Sequence, residues 1–202
     1  VAYFPKAIPE AKPEIIRMLG ERGDESALTL INSSLSNSDQ KVRSEAAAAL
    51  ARISGTNAVP SLIEYMKNSE GPEDQEAVKA ALMTVSGNKE IALLKPVLKE
   101  GSSASIKSVI ELLAWNRGNE YFKEVLPFTS SGDASVKAAA YKALTSLAGP
   151  DNQGELIKLL SSAGDKNSTS DIQSALASAA GKIIDPGKRS DMILKAMENS
   201  SE

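Results

Sequence analysis

The chain has 202 residues, a formal charge of −3, and a composition that is 42% hydrophobic but only 4% aromatic, so its core is built of Ala, Leu, Ile and Val, which suits closely packed helices better than a β-sandwich. It contains no Cys and no His, which excludes disulfides, thiol nucleophiles and thiolate metal sites and removes the commonest general base and transition-metal ligand. The mildly acidic balance argues against a generic nucleic-acid binder, and no apolar run approaches the roughly eighteen residues of a membrane span.

The chain opens at Val1 without an initiator Met or the apolar core of a signal peptide, and is read as a fragment or a mature product. A surface rich in Ser and Asn without Cys suits an extracytoplasmic bacterial protein. A lone helix is expected at Pro13 to Leu19, presenting Ile15, Ile16, Met18 and Leu19, and the stretch Gly20 to Gly23 ends it. Ala27, Leu28, Leu30, Ile31 and Leu35 then recur at helical spacing.

Next comes the segment that organises the chain. From Asp39, the run Val42, Ala46, Ala49, Leu50 and Ile53 places apolar residues at +4, +7, +8 and +11 from the Val, one stripe of an α-helix. The same residue classes return from Asp133 as Val136, Ala140, Ala143, Leu144 and Leu147. Asp39 and Asp133 each stand three residues before the first apolar position, where a carboxylate caps the leading N–H groups. Weaker copies begin near Asp74, Ser103 and Thr169. Aligned starts at Val42, Ala77, Ile106, Val136 and Ile172 give gaps of 35, 29, 30 and 36 residues, the two long ones coinciding with turn-rich insertions at 69–74 and 164–170. Internal repetition of this length marks a solenoid.

Between these copies lies a second helical pattern, at Ala58, Val59, Leu62, Ile63 and Met66, and at Leu156, Ile157, Leu159 and Leu160. Glycine breakers precede it at Gly55, Gly87, Gly118 and Gly149, supplying the left-handed residue that ends one helix. Pro60 fits a first helical turn, whereas Pro96 and Pro127 lie deeper and kink or shorten their helices. A final helix is expected from about Lys188 to Glu198, offering Met192, Ile193 and Met197.

The order Leu19-Gly20, Gly23-Asp24, Ala27, Ile31, Leu35, Asp39, Val42-Arg43, Ala46-Ala47, Ala49-Leu50 and Ile53 resembles HEAT-like repeats, most closely the short variety of the phycobilin-lyase type. The resemblance spans roughly residues 13 to 199 and departs most in the second and third copies, where Asn88 and Arg117 stand at the place of Ile53. It implies an all-α, right-handed α-solenoid of about five helix pairs with a lone helix at each end. The whole of residues 1–202 is read as one such domain, a fragment of a longer protein.

The chemistry open to the chain is narrow. Deoxyhypusine hydroxylases are similar in repeat pattern but bind iron through His, which is absent. An alkyl-purine DNA glycosylase of this fold needs a basic concave face with stacking aromatics, for which one Trp is thin support. Phycobilin lyases resemble the chain in the repeat alone. Asp165 to Ser170 offers oxygen ligands but lacks the glycine turn and terminal Glu of a calcium loop, and is read as a solvated loop. No phosphate-binding loop or nucleophile elbow is present.

The candidate binding residues lie on the second helix of each pair, which by the resemblance lines the concave face. Arg43, Lys107 and Lys137 share the position after the first apolar residue. They either meet an acidic partner or pair with Asp or Asn in the neighbouring turn. Trp115 is either a binding anchor or the filler of an irregular core gap. The leading reading is a non-catalytic protein-interaction module without a cofactor, whose partner is another protein or a flanking domain of the same polypeptide and not nucleic acid. A lyase or DNA glycosylase on this scaffold is the alternative.

Overall fold

The computed structural model describes residues 3–199, apart from the side chains of Ala196, Glu198 and Asn199. All regular structure among them is helical: α1 Lys12–Arg22, α2 Leu28–Ser34, α3 Gln40–Ser54, α4 Val59–Asn68, α5 Pro72–Val85, α6 Asn88–Ala92, α7 Val97–Glu100, α8 Ser103–Asn116, α9 Phe122–Val125, α10 Ala134–Leu147, α11 Gln153–Ser161, α12 Lys166–Gly181 and α13 Asp191–Asn199. They form an all-α repeat fold. The chain divides into two compact units, Val1–Leu112 and Leu113–Glu202.

Five helices, α3, α5, α8, α10 and α12, share one N-terminal design. The residues preceding them are Asp39, Gly71, Ser102, Asp133 and Asp165, and each carbonyl accepts the first helical bond, from Arg43, Gln75, Ile106, Lys137 and Thr169 respectively. Four of the five also cap with a side chain. Asp39 accepts from the Lys41 N–H at 2.9 Å, Ser102 from Ser105, Asp133 from Ser135 and Val136, and Asp165 from Ser168.

Burial then fixes the register. Three residues after each cap comes a buried position: Val42, Asp74, Ser105, Val136 and Ser168. Buried residues follow at +4, +7 and +8 in every case, for example Val78, Ala81 and Leu82 after Asp74 and Ile172, Ala175 and Leu176 after Ser168. The starts are therefore spaced 32, 31, 31 and 32 residues apart, a tighter period than the apolar pattern alone suggests. The expected starts at Ala77, Ile106 and Ile172 are displaced because three of the five first core positions are polar. The expected insertions are corrected with them: residues 72–74 and 166–170 are the opening turns of α5 and α12, capped by Gly71 and Asp165. The place of Ile53 is accordingly taken by Val85 and Asn116, not by Asn88 and Arg117.

Within Val1–Leu112, α1 packs on α3 and α3 on α5, while α2 packs on α3 and α4 on α5. Ala46, Ala47 and Ala49 are fully buried, and small residues let the backbones approach. A Cβ on Gly20 of α1 would lie 2.6 Å from the Ala49 Cβ, so this crossing tolerates no side chain. Within Leu113–Glu202, α9 and α12 pack on α10, and α11 on α12 and α13. The prolines act as expected. Pro60 sits in the first turn of α4, Pro96 separates α6 from α7, and Pro127 lies in the 3-10 turn that continues from α9.

The end of α8 differs from expectation. Gly118 is not the left-handed residue; Arg117 is, at φ 61°, and of the other expected breakers Gly55 has a positive φ whereas Gly87 and Gly149 do not. Gly118 is required for space instead, since a Cβ there would meet Glu120 and the Tyr121 ring at 2.8 Å.

Candidate functional site

Two of the three polar core positions, Asp74 and Ser105, are satisfied by the preceding repeat, and Ser168 by its own helix cap Asp165. Arg43 follows Val42 on α3, and its guanidinium reaches the first core position of α5. Its Nε donates to one Asp74 oxygen at 3.1 Å and Nη2 to the other at 2.7 Å. Nη1 donates to the Asn37 and Ser38 carbonyls. Four of the five N–H groups are thus committed, and the side chain is only 21% exposed. The Tyr65 hydroxyl of α4 donates to Asp74 at 2.6 Å. Burial works against the Asp74 carboxylate, but the hydrogen bonds from Arg43 and Tyr65 outweigh it and hold its pKa below the usual value. Burial, reinforced by the adjacent carboxylate, pushes the Tyr65 hydroxyl far up.

The next repeat uses the same geometry with neutral groups. Gln75, one residue after Asp74, donates to the Met66 and Ser69 carbonyls at 2.8 and 2.5 Å and to the Ser105 hydroxyl at 3.4 Å. Ser105 donates in turn to the Met66 carbonyl at 2.9 Å. In the second unit Lys137 occupies the position of Arg43. Asp165 is held below the ordinary carboxylate range first by the backbone and side-chain bonds from Ser168, with the Lys137 charge as a smaller pull.

The four residues singled out from sequence are therefore not equivalent. Arg43 and Lys137 share a register position and face carboxylates of the following repeat. Lys107 lies one residue further round α8, because that helix begins its core at Ser105. It is 46% exposed, with Glu111 at 4.0 Å. Trp115 is 44% exposed, at the surface of its helix and not a core filler. Lys79, missed by sequence reasoning, is 14% exposed and pairs with Glu76 at 2.8 Å and with Glu111. Burial depresses its pKa, but the two carboxylates prevail and raise it. Its signal was available in the spacing of Glu76 and Lys79, three apart on a helix.

Two hollows open in the first unit. One, of about 580 Å³, is floored by Arg43, Tyr65 and Asp74 and rimmed by Asn32, Glu64, Asn68 and Glu70. The other, of about 590 Å³, runs between α3 and α5. Its walls are small: Ser44, Ala48, Ala51 and Gly55 on one side, Ala77, Ala80, Ala81 and Thr84 on the other, with Arg52 beside them. Among the described residues there is no group of three or more His, Cys, Asp or Glu side chains placed to hold a metal, and no helix is long and apolar enough to cross a membrane.

Residues 6–83 match the family pattern of HEAT repeats. No protein of curated function matches the chain in sequence. Among solved structures, the complex of CpcE and CpcF of phycocyanin lyase from Nostoc sp. PCC7120 is similar at 18% identity, covering 96% of this chain and 90% of that one with a TM-score of 0.48. An engineered protein is similar at 19% identity, covering 86% and 92% with a TM-score of 0.47. One cap-and-core register thus recurs in five helices of an all-α repeat fold, and residues 6–83 of it carry the pattern of HEAT repeats.

Proposed function

We propose that the chain is a non-catalytic protein-interaction module serving a larger polypeptide, and that it receives a partner segment in the furrow between α3 and α5. The carrying observation is the furrow itself. Two adjacent helices present small side chains toward each other across about 590 Å³, so a partner's apolar side chains can approach the helix backbones while Arg52 offers a charge beside them. The groups with shifted pKa support a structural rather than a catalytic use. Asp74 and Tyr65 are hydrogen-bonded to each other, and Lys79 is paired with two carboxylates, so none is a poised acid, base or nucleophile. A protein partner, and not nucleic acid, fits a lining of small, mostly apolar side chains with Arg52 as its one charge.

The test places a photo-crosslinking residue at Ala80, with an exposed control at Lys67, and identifies what is captured. The captured protein is then titrated against the wild type and against Ala48→Trp, which fills the furrow. Capture at Ala80 alone, with affinity lost about tenfold or more in the variant, is the expected result; one tenfold step corresponds to about 1.4 kcal/mol. Equal capture at both positions would move the interface elsewhere. A shift in bilin absorbance on incubation with the chain, or a salt-dependent shift of DNA, would overturn the non-catalytic or the protein-partner reading respectively.

A further inference from the structure

The furrow between α3 and α5 restricts what can lie in it. Arg43 is bonded to Asp74 near the N-terminal ends of the two helices, and the walls run from Ser44 and Ala77 to Gly55 and Val85 at the C-terminal ends. The two helices therefore lie side by side in the same direction. Ser44, Ala48, Ala51 and Gly55 recur at intervals of four, three and four residues, and Ala77, Ala80 or Ala81, and Thr84 face them at intervals of three or four. The floor, Ala51 and Ala81, is 3% and 4% exposed. From Ser44 to Gly55 the furrow is about 16 Å long, or about three helical turns.

This lining offers a peptide backbone almost nothing to pair with. The wall backbones are bonded within their own helices. The Ser44 hydroxyl accepts from Gln40 at 2.7 Å, and the Thr84 hydroxyl donates to the Ala81 carbonyl at 2.7 Å. An extended segment laid here would leave its own N–H and C=O groups unpaired against methyl groups. A helix satisfies those groups internally and presents side chains alone. Arg52 is the one charge in the lining. It stands in the last turn of α3 and makes no hydrogen bond or ion pair among the described residues.

We propose, on the footing that this furrow is where the partner binds, that its occupant is a short amphipathic helix of the partner. The helix lies antiparallel to α3 and α5, with an Asp or Glu of its first turn paired to Arg52. Large apolar side chains at i, i+3 or i+4, and i+7 fill the space that the small walls leave. Charge sets the direction. Carboxylates stabilise the first turn of a helix and destabilise the last, so the turn that meets Arg52, at the C-terminal ends of α3 and α5, is the partner's first.

The test uses a displayed library of unbiased peptides of about 14 residues, enough for about three turns and both caps. Peptides selected on the wild-type chain are screened against Ala48→Trp and Ala80→Trp, which fill the furrow from opposite walls. Ala80 is exposed, so its replacement leaves the packing of α5 intact, as a circular dichroism melt checks. Peptides lost on the filled variants are expected to carry apolar residues at helical spacing, with Asp or Glu in the first turn. On Arg52→Glu their affinity should fall about tenfold, the lost pair and the new repulsion together, and exchanging the peptide's carboxylate for Lys should recover it. The chain has no Cys, so direction is read by disulfide trapping. A peptide with Cys at its N-terminus should link to Thr84→Cys and not to Ala77→Cys. Furrow-bound peptides of alternating or Pro-rich pattern, affinity indifferent to Arg52→Glu, or trapping at Ala77→Cys would overturn the antiparallel acidic helix while leaving the furrow as the site. Selected peptides that bind the filled variants as well as wild type would overturn the furrow itself.

Discussion

Replacing Asp74 by Ala removes the centre of the Arg43–Asp74–Tyr65 cluster. The carboxylate side chain is 8% exposed and accepts three hydrogen bonds, two of them from a guanidinium. Breaking one partner of a buried pair costs roughly 3–5 kcal/mol. Arg43 retains its bonds to Asn37 and Ser38 and some access to water, so the lower end, about 3 kcal/mol, is expected. With a urea dependence of about 2 kcal/mol per molar, the midpoint should fall by about 1.5 M. Arg43→Ala should cost a similar amount, and the double variant little more than either single, giving a coupling of about 2 kcal/mol.

The same cluster sets a pH dependence. The folded pKa of Asp74 lies below its unfolded value of about 3.9, so its contribution is present above that pH and lost as pH falls through the folded pKa. The stability difference between wild type and Asp74→Asn should therefore narrow below about pH 4. Single costs that simply add, or a difference that holds constant into acid, would refute the assignment of this pair as the link between α3 and α5.

Four further results are expected. Gly20→Ala forces a methyl against Ala49 and should cost about 1–3 kcal/mol, read as a fall in the melting temperature. Arg117→Gly relieves the left-handed backbone at the end of α8 and should stabilise by about 0.5–1 kcal/mol in the same assay. Lys182→Met removes donors from the Ser146 and Ala148 carbonyls at the end of α10 and from Asn119, and should cost about 1 kcal/mol in urea; an unchanged midpoint would dismiss that cap. The fluorescence of Trp115, the single Trp, should be quenched readily by acrylamide in the native protein, and protection from quencher would contradict its 44% exposure.

The strongest copies were legible from sequence because Val42 and Val136 are apolar and Asp39 and Asp133 cap them. Those two helices stand where the spacing put them. The other three were displaced by one to four residues for a single physical reason. A search for apolar stripes passes over Asp74, Ser105 and Ser168, whose burial depends on partners 31 and 39 residues away or at the helix cap. Cap spacing was the better guide, since Gly71, Ser102 and Asp165 each stand three residues before the true start. The candidate site was legible in part. The reading of Arg43 as paired with its surroundings was already on the table, but its partner one repeat onward was not. The furrow between α3 and α5 depends on which alanines of two helices face each other, and that follows only once the register of α5 is known.

The links from Arg43 to Asp74 and from Gln75 to Ser105 also make the copies non-interchangeable. Arg43 requires a carboxylate one repeat onward, whereas Gln75 requires a hydroxyl. A genetic event that excised residues 74–104, one full period, would remove one repeat yet preserve the cap spacing and apolar stripe of the helices left. It would nevertheless set Arg43 against Ser105 and strand its charge. Duplication and deletion, the usual routes by which such arrays change length, are thereby penalised in this stretch, and copy order becomes something the chain encodes rather than merely inherits.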